Sequence, residues 1–330
     1  MSDQASPAAL RGGIDLGGTK IQAAICTPAG AVVGQSRRQT PTTGGPPDVA
    51  EQMIGALGEA ADSAGVETDS LAGIGVGSPG DADEETGDVS DARNLPSWDG
   101  SFALGSRLSQ ALGAPVRVGN DVDVATNAEF VFGAGRPYGS LLGVFWGTGV
   151  GGGLILDGKR WLGRGAAGEI GHMVVRRGGA RCPCGRRGCM EAYAGRMAME
   201  AKARREHEGV RTTDLFELMR KHGHDRLTSS IWERALKHHD PLADELIDGA
   251  VKALGAGIAS AVNLLDVEAV IIGGGLGVRL GEPYVKRIRE RMGKHLFVAD
   301  NPPDVKVAEL GDLGGAIGAS LLFADDAGGG

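Results

Sequence analysis

Apolar residues near the start of the chain change between strand-like and helix-like spacing. Two short apolar stretches surround a glycine turn within residues 12–26, which predicts a β-hairpin, and a second turn leads to a third strand at residues 31–33. After a Pro-Pro pair, apolar residues at helical spacing predict a helix over residues 48–64. A buried strand at residues 74–76 follows. Strands that alternate with helices in this way predict an α/β fold.

The layout of the first hairpin returns later in the chain. In residues 13–30 a strand runs into a glycine turn, a second strand returns and a tight turn follows, and residues 143–158 repeat that order. The second copy begins 130 residues after the first. A repeat of one β-rich unit predicts a duplicated β-sheet core, and we expect the two copies to leave a cleft between two lobes.

The second half of the chain is rich in predicted helices. The longest of them, residues 242–265, carries a continuous apolar stripe and leads into a buried strand at residues 269–272. The other predicted elements are helices at 104–112, from about Asn120, and at 191–208, 213–221, 227–238, 282–295 and 313–323, with strands at 116–118 and 305–307.

The length predicts two lobes, because a chain of 330 residues exceeds the size at which one hydrophobic core stops growing. We expect residues 1–119 to form a smaller α/β lobe, with the C-terminal helix at about residues 313–324 packed back on it. Residues 120–312 are then expected to form the larger, helix-rich lobe. The final stretch, residues 325–330, is predicted to be disordered.

The charge balance narrows the class of ligand. The chain has 34 lysine and arginine residues against 42 aspartate and glutamate residues, a formal net charge of −8. Nucleic acid and anionic lipid both bind basic surfaces that displace counterions, so neither partner is expected. No uncharged apolar run reaches the ~18 residues that span a bilayer, and residues 1–13 lack the apolar core of a signal peptide. We therefore expect a cytoplasmic protein with a small polar ligand.

Glycine turns follow several predicted buried strands. They are Gly17-Gly18-Thr19-Lys20, Gly147-Thr148-Gly149 and Gly273-Gly274-Gly275. Glycine allows backbone amides to approach phosphate oxygens closely, and threonine or lysine adds a further donor. A single such turn is most often turn geometry alone, but three of them, two within the repeated unit, favour a nucleotide held between the lobes.

Two familiar nucleotide-binding patterns are excluded by their surroundings. The glycines of residues 147–152 match the spacing of a dinucleotide fingerprint, but they join two predicted strands instead of a strand and a helix. Residues 153–159 resemble a P-loop, yet Arg160 stands where serine or threonine is needed and no helix follows. Neither a dehydrogenase nor a P-loop NTPase is expected.

Acidic residues lie at predicted strand ends beside these turns. Asp15 precedes the first glycine turn, where its carboxylate either holds Mg²⁺ against bound phosphates or accepts hydrogen bonds from turn amides. Asn120 and Asp121 follow the strand at 116–118 and open a helix, which one of them can cap. Asp121 is alternatively a general base that takes a proton from a substrate hydroxyl. The spacing leaves both pairs of alternatives open.

A cluster of cysteines predicts a structural zinc site. Cys182, Cys184 and Cys189 fall within eight residues, and His172 can complete a Cys₃His tetrahedron. This closed donor set leaves no open position for catalysis, so the ion would organise the loop at residues 172–189 instead of activating water. The alternative is a set of free surface thiols.

Two glutamates flank this loop. Glu169 precedes His172 by three residues, and Glu191 follows Cys189 by two. A loop fixed by zinc would also fix both carboxylates, which can accept hydrogen bonds from a polyol.

Together these residues resemble the ROK family, the bacterial sugar kinases and related repressors of the actin-like, hexokinase-like superfamily. The resemblance runs from about Gly12 to Phe323. Its most specific motifs are Asp15-Leu16-Gly17-Gly18-Thr19-Lys20, Asn120-Asp121, Gly168-Glu169-Ile170-Gly171-His172 and Cys182-Pro183-Cys184-Gly185-Arg186-Arg187-Gly188-Cys189-Met190-Glu191. It implies a two-lobed actin-like ATPase fold, related to ribonuclease H, with a duplicated β-sheet core and a helix-rich second lobe.

The resemblance also implies a reaction and the residues that perform it. In this reaction, which uses Mg²⁺ as a cofactor, the γ-phosphate of ATP is transferred to the 6-hydroxyl of a hexose, and glucose is the first candidate. Asp121 matches the catalytic base. The residues that match sugar contacts are Ser78, Pro79, Gly80, Asn94, Asn120, Asp121, Glu169, His172 and Glu191. His172 also matches a zinc ligand. Gly17, Gly18, Thr19, Lys20, Thr148 and Gly149 match phosphate-binding turns, and Gly273, Gly274 and Gly275 match the nucleoside loop. Asp123 departs from the family, which commonly has asparagine there.

Alternatives remain within and beyond this resemblance. Other kinases of the family act on N-acetylglucosamine, N-acetylmannosamine, fructose or mannose, polyphosphate replaces ATP in relatives, and we expect residues 78–94 to decide the sugar. A sugar-responsive repressor is the alternative of another class. Repressors of the family carry an N-terminal helix-turn-helix, for which we expect no room before Gly12. Family members form homodimers or homotetramers, and no sequence feature selects between them.

Overall fold

A computed structural model describes residues 10–92, 94–209 and 211–324. The chain divides into two compact units, one formed by the residues up to Arg136 together with those from Glu309 onward, the other by Pro137–Ala308. These boundaries differ from the expected lobe limits at residues 119 and 312, because the helix after residue 120 packs within the first unit. The expected disordered tail, residues 325–330, lies outside the described residues.

Within the described residues, the first unit has a five-stranded mixed sheet. Its strands are β1 (Arg11–Leu16), β2 (Lys20–Cys26), β3 (Val32–Gln39), β4 (Ile74–Ser78) and β7 (Val116–Asn120), in the order β3-β2-β1-β4-β7. The strands β1, β2 and β3 are antiparallel neighbours, whereas β4 and β7 run parallel to β1. A separate ribbon pairs β5 (Asp81–Ala82) with β6 (Val89–Ser90). The predicted hairpin is confirmed, and the ribbon was not predicted.

The first unit also contains four helices among its described residues. They are α1 (Pro46–Ala64), α2 (Leu104–Leu112), α3 (Asp121–Phe132) and α10 (Gly314–Ser320), with 3₁₀ turns at Thr68–Ser70, Gly311–Leu313 and Leu321–Phe323. The core of this unit is formed by apolar side chains of β1, β2, β4 and β7 that pack against α1 and α2.

The second unit repeats the sheet order with other strands. Its sheet, as far as the structure describes it, contains β8 (Leu141–Trp146), β9 (Val150–Leu156), β10 (Lys159–Arg160), β11 (Ala269–Gly273) and β12 (Asp304–Val307), in the order β10-β9-β8-β11-β12. Here too three antiparallel neighbours are followed by two parallel strands. The duplicated β-sheet core is therefore confirmed. The glycines after β8 join two strands, which agrees with the prediction that residues 147–152 are not a dinucleotide fingerprint.

The second unit has its own helical layer and core. Its helices are α4 (Glu191–Ala194), α5 (Arg196–Glu208), α6 (Leu215–Lys221), α7 (Ser229–Lys237), α8 (Pro241–Leu265) and α9 (Gly274–Gly293), with a 3₁₀ turn at Ile170–His172. The buried stripe of α8 contributes many of the core residues, as predicted. Across the described part of the chain, no helix combines the length and the apolarity that crossing a membrane requires.

Two helices of the second unit differ from their predicted bounds. The helix expected over residues 191–208 is interrupted at Gly195, whose ψ of 132° is extended, so α4 and α5 are separate. Helix α9 begins at Gly274, earlier than the predicted residue 282, and breaks at Gly281, where φ is +60°. A left-handed glycine ends a helical segment, and Pro283 fits the first turn of the next one.

Helix α10 approaches the backbone of two strands of the first sheet closely. A Cβ on Gly13 of β1 or on Gly75 of β4 would collide with carbonyl oxygens of α10. On the helix itself, a Cβ on Gly318 would collide with the carbonyl of Val124 in α3. Glycine at these positions therefore permits the backbones of β1, β4 and α3 to approach that of α10 closely, and α10 packs against all three elements.

A buried carboxylate binds both chain segments at the limits of the first unit. Glu129 of α3 is 3% exposed and accepts hydrogen bonds from the amides of Ala134, Glu309 and Leu310 at 3.0, 3.0 and 2.9 Å. The segment that leaves the first unit and the segment that returns to it are thus held by one side chain.

Candidate functional site

Several predicted site residues meet at one edge of the first sheet. The parallel strands β1, β4 and β7 end there, and Ser78 at the end of β4 pairs in register with Asn120 at the end of β7. Asp15 of β1 is paired with Gly77, and Asp121 directly follows β7. Because ligands of open α/β sheets bind outside the carboxyl ends of parallel strands, this edge is a candidate site.

Asn120 caps helix α3. Its side-chain oxygen accepts hydrogen bonds from the amides of Val122 at 3.0 Å and Asp123 at 3.3 Å. Of the Asn-Asp pair, the asparagine is thus the N-cap, and half-buried Asp121 is the first helical residue. Asp123 lies in the first helical turn, where a carboxylate interacts favourably with the helix dipole. Asp123 can stabilise the helix in this way although the family that the sequence resembles commonly has asparagine at this position.

Carboxylates and a lysine form an electrostatic cluster at the same edge. Burial, and then the charge of Asp121, raise the pKa of Asp15 from 3.8 to about 7, while the Lys20 ammonium opposes this rise. The ammonium lies 3.0 Å from the Asp312 carboxylate and donates to Gln22. Neighbouring carboxylates that disfavour each other's ionisation suit a bound cation. Asp312 was not predicted, because it lies far along the chain on the turn before α10.

The first glycine turn lies beside another predicted sugar contact. The turn is closed by a hydrogen bond from the Gly17 amide to the Lys20 carbonyl at 3.0 Å, and Thr19 is exposed. A Cβ on Gly18 would lie 3.3 Å from the side-chain nitrogen of Asn94. The Thr40 hydroxyl, which was not predicted, donates to the Gly17 carbonyl at 2.6 Å. The fold thus brings Asn94 beside the predicted phosphate-binding turn.

The loop after β4 is held rigidly. The buried Ser78 hydroxyl donates to the Pro79 carbonyl at 3.1 Å. Gly80 has a φ of +88°, and a Cβ there would collide with the carbonyl of Ser90. The loop predicted to contact the sugar therefore packs closely against the ribbon of β5 and β6.

The predicted nucleotide turns of the second unit contact each other. They follow β8 and β11, which are parallel neighbours. A Cβ on Gly147 would lie 3.7 Å from the amide nitrogen of Gly275, and one on Gly274 would lie 2.6 Å from the Trp146 carbonyl oxygen. Gly274 has a φ of +80°, so both its conformation and its surroundings require glycine. Gly273 ends β11, and the turn leads directly into helix α9.

A buried arginine holds the turn after β8. Arg196, the first residue of α5, is 9% exposed, and its guanidinium donates to the Thr148 hydroxyl oxygen and to the Leu227 carbonyl, each at 2.9 Å. The amides of Arg196 and Met197 donate to the carbonyls of Gly147 and Thr148 at 3.1 Å. No sequence motif pointed to Arg196, because Thr148 lies 48 residues away from it along the chain.

The predicted zinc ligands are brought together. The donor atoms of His172, Cys182, Cys184 and Cys189 all lie within 4.8 Å of one another. The Cys182 sulfur is 3.7 Å from Nδ1 of His172, and the sulfurs of Cys184 and Cys189 are 3.7 Å apart. A tetrahedral zinc ion with bonds of about 2.3 Å to sulfur places two sulfurs about 3.8 Å apart, so the geometry fits.

Two of the three clustered cysteines are buried and Cys184 is half-buried, which favours a metal cluster over free surface thiols. Cys182 is 2% exposed and Cys189 is fully buried. Burial raises the pKa of both thiols, which favours their neutral form when no cation is near. A divalent cation among the sulfurs would favour the thiolates instead.

The two predicted glutamates adjoin this cluster. Oε2 of Glu169 lies 3.8 Å from Nε2 of His172, the ring nitrogen other than the one that faces Cys182. Oε2 of Glu191 accepts a hydrogen bond from the Val150 amide at 3.0 Å, and its Oε1 lies 3.7 Å from the Cys182 sulfur. Glu191 therefore links the cysteine loop to the hairpin of β8 and β9.

Solved structures with similar folds define the class of the protein. The crystal structure of a ROK family glucokinase from Streptomyces griseus in complex with glucose and AMPPNP is similar with a TM-score of 0.81 at 31% identity, and the match covers 95% of this chain and 98% of that one. The ROK hexokinase from Thermus thermophilus is similar with a TM-score of 0.78 at 31% identity, covering 97% and 100%. The predicted α/β fold of the actin-like ATPases, with its duplicated sheet, is confirmed.

Sequence similarity then identifies the family. Residues 11–326 match the ROK family. The glucokinases of Halalkalibacterium halodurans and Thermotoga maritima are 33% and 30% identical to this chain, covering 94% and 96% of it and 93% and 98% of those proteins. An N-acetylmannosamine kinase of Haemophilus influenzae is 30% identical, covering 94% of both proteins. The chain belongs to the ROK family.

Proposed function

We propose that the protein is an ATP-dependent hexose kinase, specifically a glucokinase that phosphorylates the 6-hydroxyl of glucose. The observation that carries this proposal is the nearly full-length similarity to glucokinases, one of them solved with glucose and an ATP analogue. The glycine turns and carboxylates at the sheet edges support it, since they supply the donors and the base that phosphoryl transfer needs.

In this proposal Asp121 is the general base. Its carboxylate accepts the proton of the sugar 6-hydroxyl while the hydroxyl oxygen forms a bond to the γ-phosphorus and the bond from that phosphorus to the bridging oxygen of ADP breaks. The loose transition state of this transfer requires alignment and charge neutralisation more than covalent participation. The proposed sugar contacts supply the alignment, and they are Ser78, Pro79, Gly80, Asn94, Asn120, Glu169, His172 and Glu191.

The phosphates are proposed to bind at the turns. Residues 17–20, with Thr148 and Gly149, would donate hydrogen bonds to phosphate oxygens, and residues 273–275 would contact the nucleoside. Lys20 would exchange its ion pair with Asp312 for a phosphate oxygen. Asp15, whose ionisation is disfavoured by burial and by a neighbouring carboxylate, fits a site for Mg²⁺, which would neutralise phosphate charge there.

Zinc is proposed to be a structural ion. His172, Cys182, Cys184 and Cys189 would hold it in a closed tetrahedral site, which fits the donor distances. In that site His172 would bind through Nδ1, the nitrogen that faces Cys182, and its Nε2 would face Glu169. A loop held in this way would also hold His172 and the two flanking glutamates, Glu169 and Glu191, among the proposed sugar contacts.

A coupled phosphorylation assay over glucose, mannose, fructose, N-acetylglucosamine and N-acetylmannosamine, with ATP or polyphosphate as donor, tests the proposal. We expect the highest kcat/KM for glucose with ATP. A preference for an N-acetylated hexosamine would favour the second candidate, an N-acetylmannosamine-type kinase, to which the relative of that name points. Phosphorylation of none of these sugars would contradict a hexose kinase. The expected homodimer or homotetramer and the cytoplasmic location stay predictions.

A further inference from the structure

The hydrogen bond between Arg196 and Thr148 fixes which of the two groups is the donor. Its oxygen accepts a hydrogen bond from the Arg196 guanidinium at 2.9 Å. A guanidinium carries donors only, whereas a hydroxyl has one proton and two lone pairs. The Thr148 oxygen therefore acts as the acceptor toward Arg196, and its own proton must be given to a different acceptor.

The backbone of the same turn is directed in a similar way. The carbonyl oxygens of Gly147 and Thr148 accept hydrogen bonds from the amides of Arg196 and Met197, each at 3.1 Å. Carbonyl oxygens would repel a phosphate, and here two of them are occupied by the start of α5. The two carbonyl acceptors of the turn thus face α5, and the proton of the Thr148 hydroxyl can be donated to another acceptor.

Arg196 is itself held firmly at an energetic cost. It is 9% exposed, its guanidinium is anchored to the Leu227 carbonyl at 2.9 Å, and it lies one helical turn from Glu200. Within the ranges that the structure describes, its Nε is a buried polar atom with no hydrogen-bond partner. A buried donor without a partner destabilises the fold.

We infer that Arg196 is a positioning residue for nucleotide binding, which orients the Thr148 hydroxyl so that its proton is donated to a phosphate oxygen of the nucleotide. This inference rests on the proposed function, since it assumes that the turn after β8 binds a nucleoside triphosphate. Arg196 acts through Thr148 and needs no contact with the nucleotide itself.

A double-mutant cycle on nucleotide affinity tests this role. The Kd of AMPPNP with Mg²⁺ is measured by calorimetry for the wild type, Arg196→Met, Thr148→Val and the double variant. We expect each single substitution to raise the Kd about fivefold to tenfold, and the double variant to be no weaker than the worse single variant, because one interaction is lost. In a Thr148→Ser background, which keeps the hydroxyl, Arg196→Met should still raise the Kd.

Glu200→Gln is the matched control. Glu200 lies on the same helix and is also 9% exposed, and its carboxylate accepts a hydrogen bond from the Leu227 amide at 3.0 Å. We expect this variant to lose stability while its Kd for AMPPNP is unchanged. If Arg196→Met does not fold, Arg196→Lys, which keeps the charge but not both hydrogen bonds, is expected to raise the Kd in its place.

The outcomes separate this inference from the proposed function. The role of Arg196 would be overturned if the rises in Kd caused by Arg196→Met and Thr148→Val multiplied in the double variant, or if Glu200→Gln raised the Kd equally. Hexose phosphorylation by the wild type would still support the proposed kinase activity in that case. A wild type that neither binds AMPPNP nor phosphorylates a hexose would overturn both.

Discussion

The carboxylate of Glu191 lies 3.7 Å from the sulfur of Cys182. Its second oxygen accepts a hydrogen bond from the Val150 amide, directly after the glycine turn of β8. Tight packing accompanies this contact, because a Cβ on Gly149 would collide with the same carboxylate. The cysteine loop and a proposed phosphate-binding turn are therefore joined through one side chain. We expect removal of a metal from the loop to alter ligand binding at the neighbouring sites.

Removal of the metal is expected to weaken sugar binding before it unfolds the protein. Without an ion the thiols of Cys182 and Cys189 favour their neutral form, His172 loses its metal contact, and the Glu191 carboxylate keeps its hydrogen bond from the Val150 amide but loses a fixed cysteine loop beside it. We expect the Kd of glucose to rise about tenfold in a chelated sample, as for the loss of groups that orient a metal site. Calorimetry with glucose, beside circular dichroism, measures both effects. Unchanged activity in a sample verified to be free of metal would contradict the structural role of zinc.

Replacement of Glu129 is expected to destabilise the protein strongly. The Glu129 carboxylate accepts hydrogen bonds from three backbone amides, and in Glu129→Gln the side-chain NH₂ group faces at least one of these donors, which then loses its acceptor. We expect a loss of roughly 2–4 kcal/mol in urea unfolding, as for other buried charged hydrogen bonds. Glu67→Gln, at an exposed position of the same unit, is the control and should change stability by less than about 0.5 kcal/mol. Equal effects of the two substitutions would contradict the role of Glu129.

The ion pairs of Asp248 predict a pH-dependent contribution to stability. Its carboxylate on α8 lies 2.6, 3.2 and 3.3 Å from Lys252, Arg287 and Arg291, and the first of these contacts contributes most to lowering its pKa below 3.8. A depressed folded-state pKa contributes stability above the unfolded-state pKa, and this contribution is lost as the pH falls through the folded value. Because the group is 31% exposed, Asp248→Asn should cost only about 1 kcal/mol near pH 7.

Urea unfolding of wild type and Asp248→Asn between pH 3 and pH 7 measures this dependence. The difference in free energy of unfolding should shrink as the pH falls, and it should also shrink in molar salt, which screens the pairs. A difference that is constant with pH would show that lost packing, and not charge, accounts for it.

The fold could be predicted from the sequence where the pattern is local or repeated. The strand, glycine turn and returning strand at residues 13–30 and 143–158 are local features, and their repetition correctly predicted a duplicated β-sheet core. The stripe of α8 likewise gave a helix of nearly the right length. The start of α9 was missed, because three consecutive glycines have low helix propensity and only the packing of Gly274 against Trp146 accounts for their conformation.

In the candidate site, too, the residues that are close along the chain could be predicted, whereas those brought together by folding could not. The four predicted zinc ligands lie close along the chain, so their spacing was sufficient to predict that they meet. The capping role of Asn120 was left open, since it depends on which side chain turns back to the helix amides. Arg196 and Asp312 could not be found, because each acts through a contact made by folding between distant segments.

Phosphorylation of glucose by Asp121→Asn, under saturating ATP and Mg²⁺, tests the central assignment most directly. The account predicts that kcat falls about a hundredfold to ten-thousandfold, as for the loss of a general base, while zinc content and the Kd of glucose and of AMPPNP stay near those of the wild type. Near-normal turnover by a folded, zinc-bound Asp121→Asn variant would contradict it.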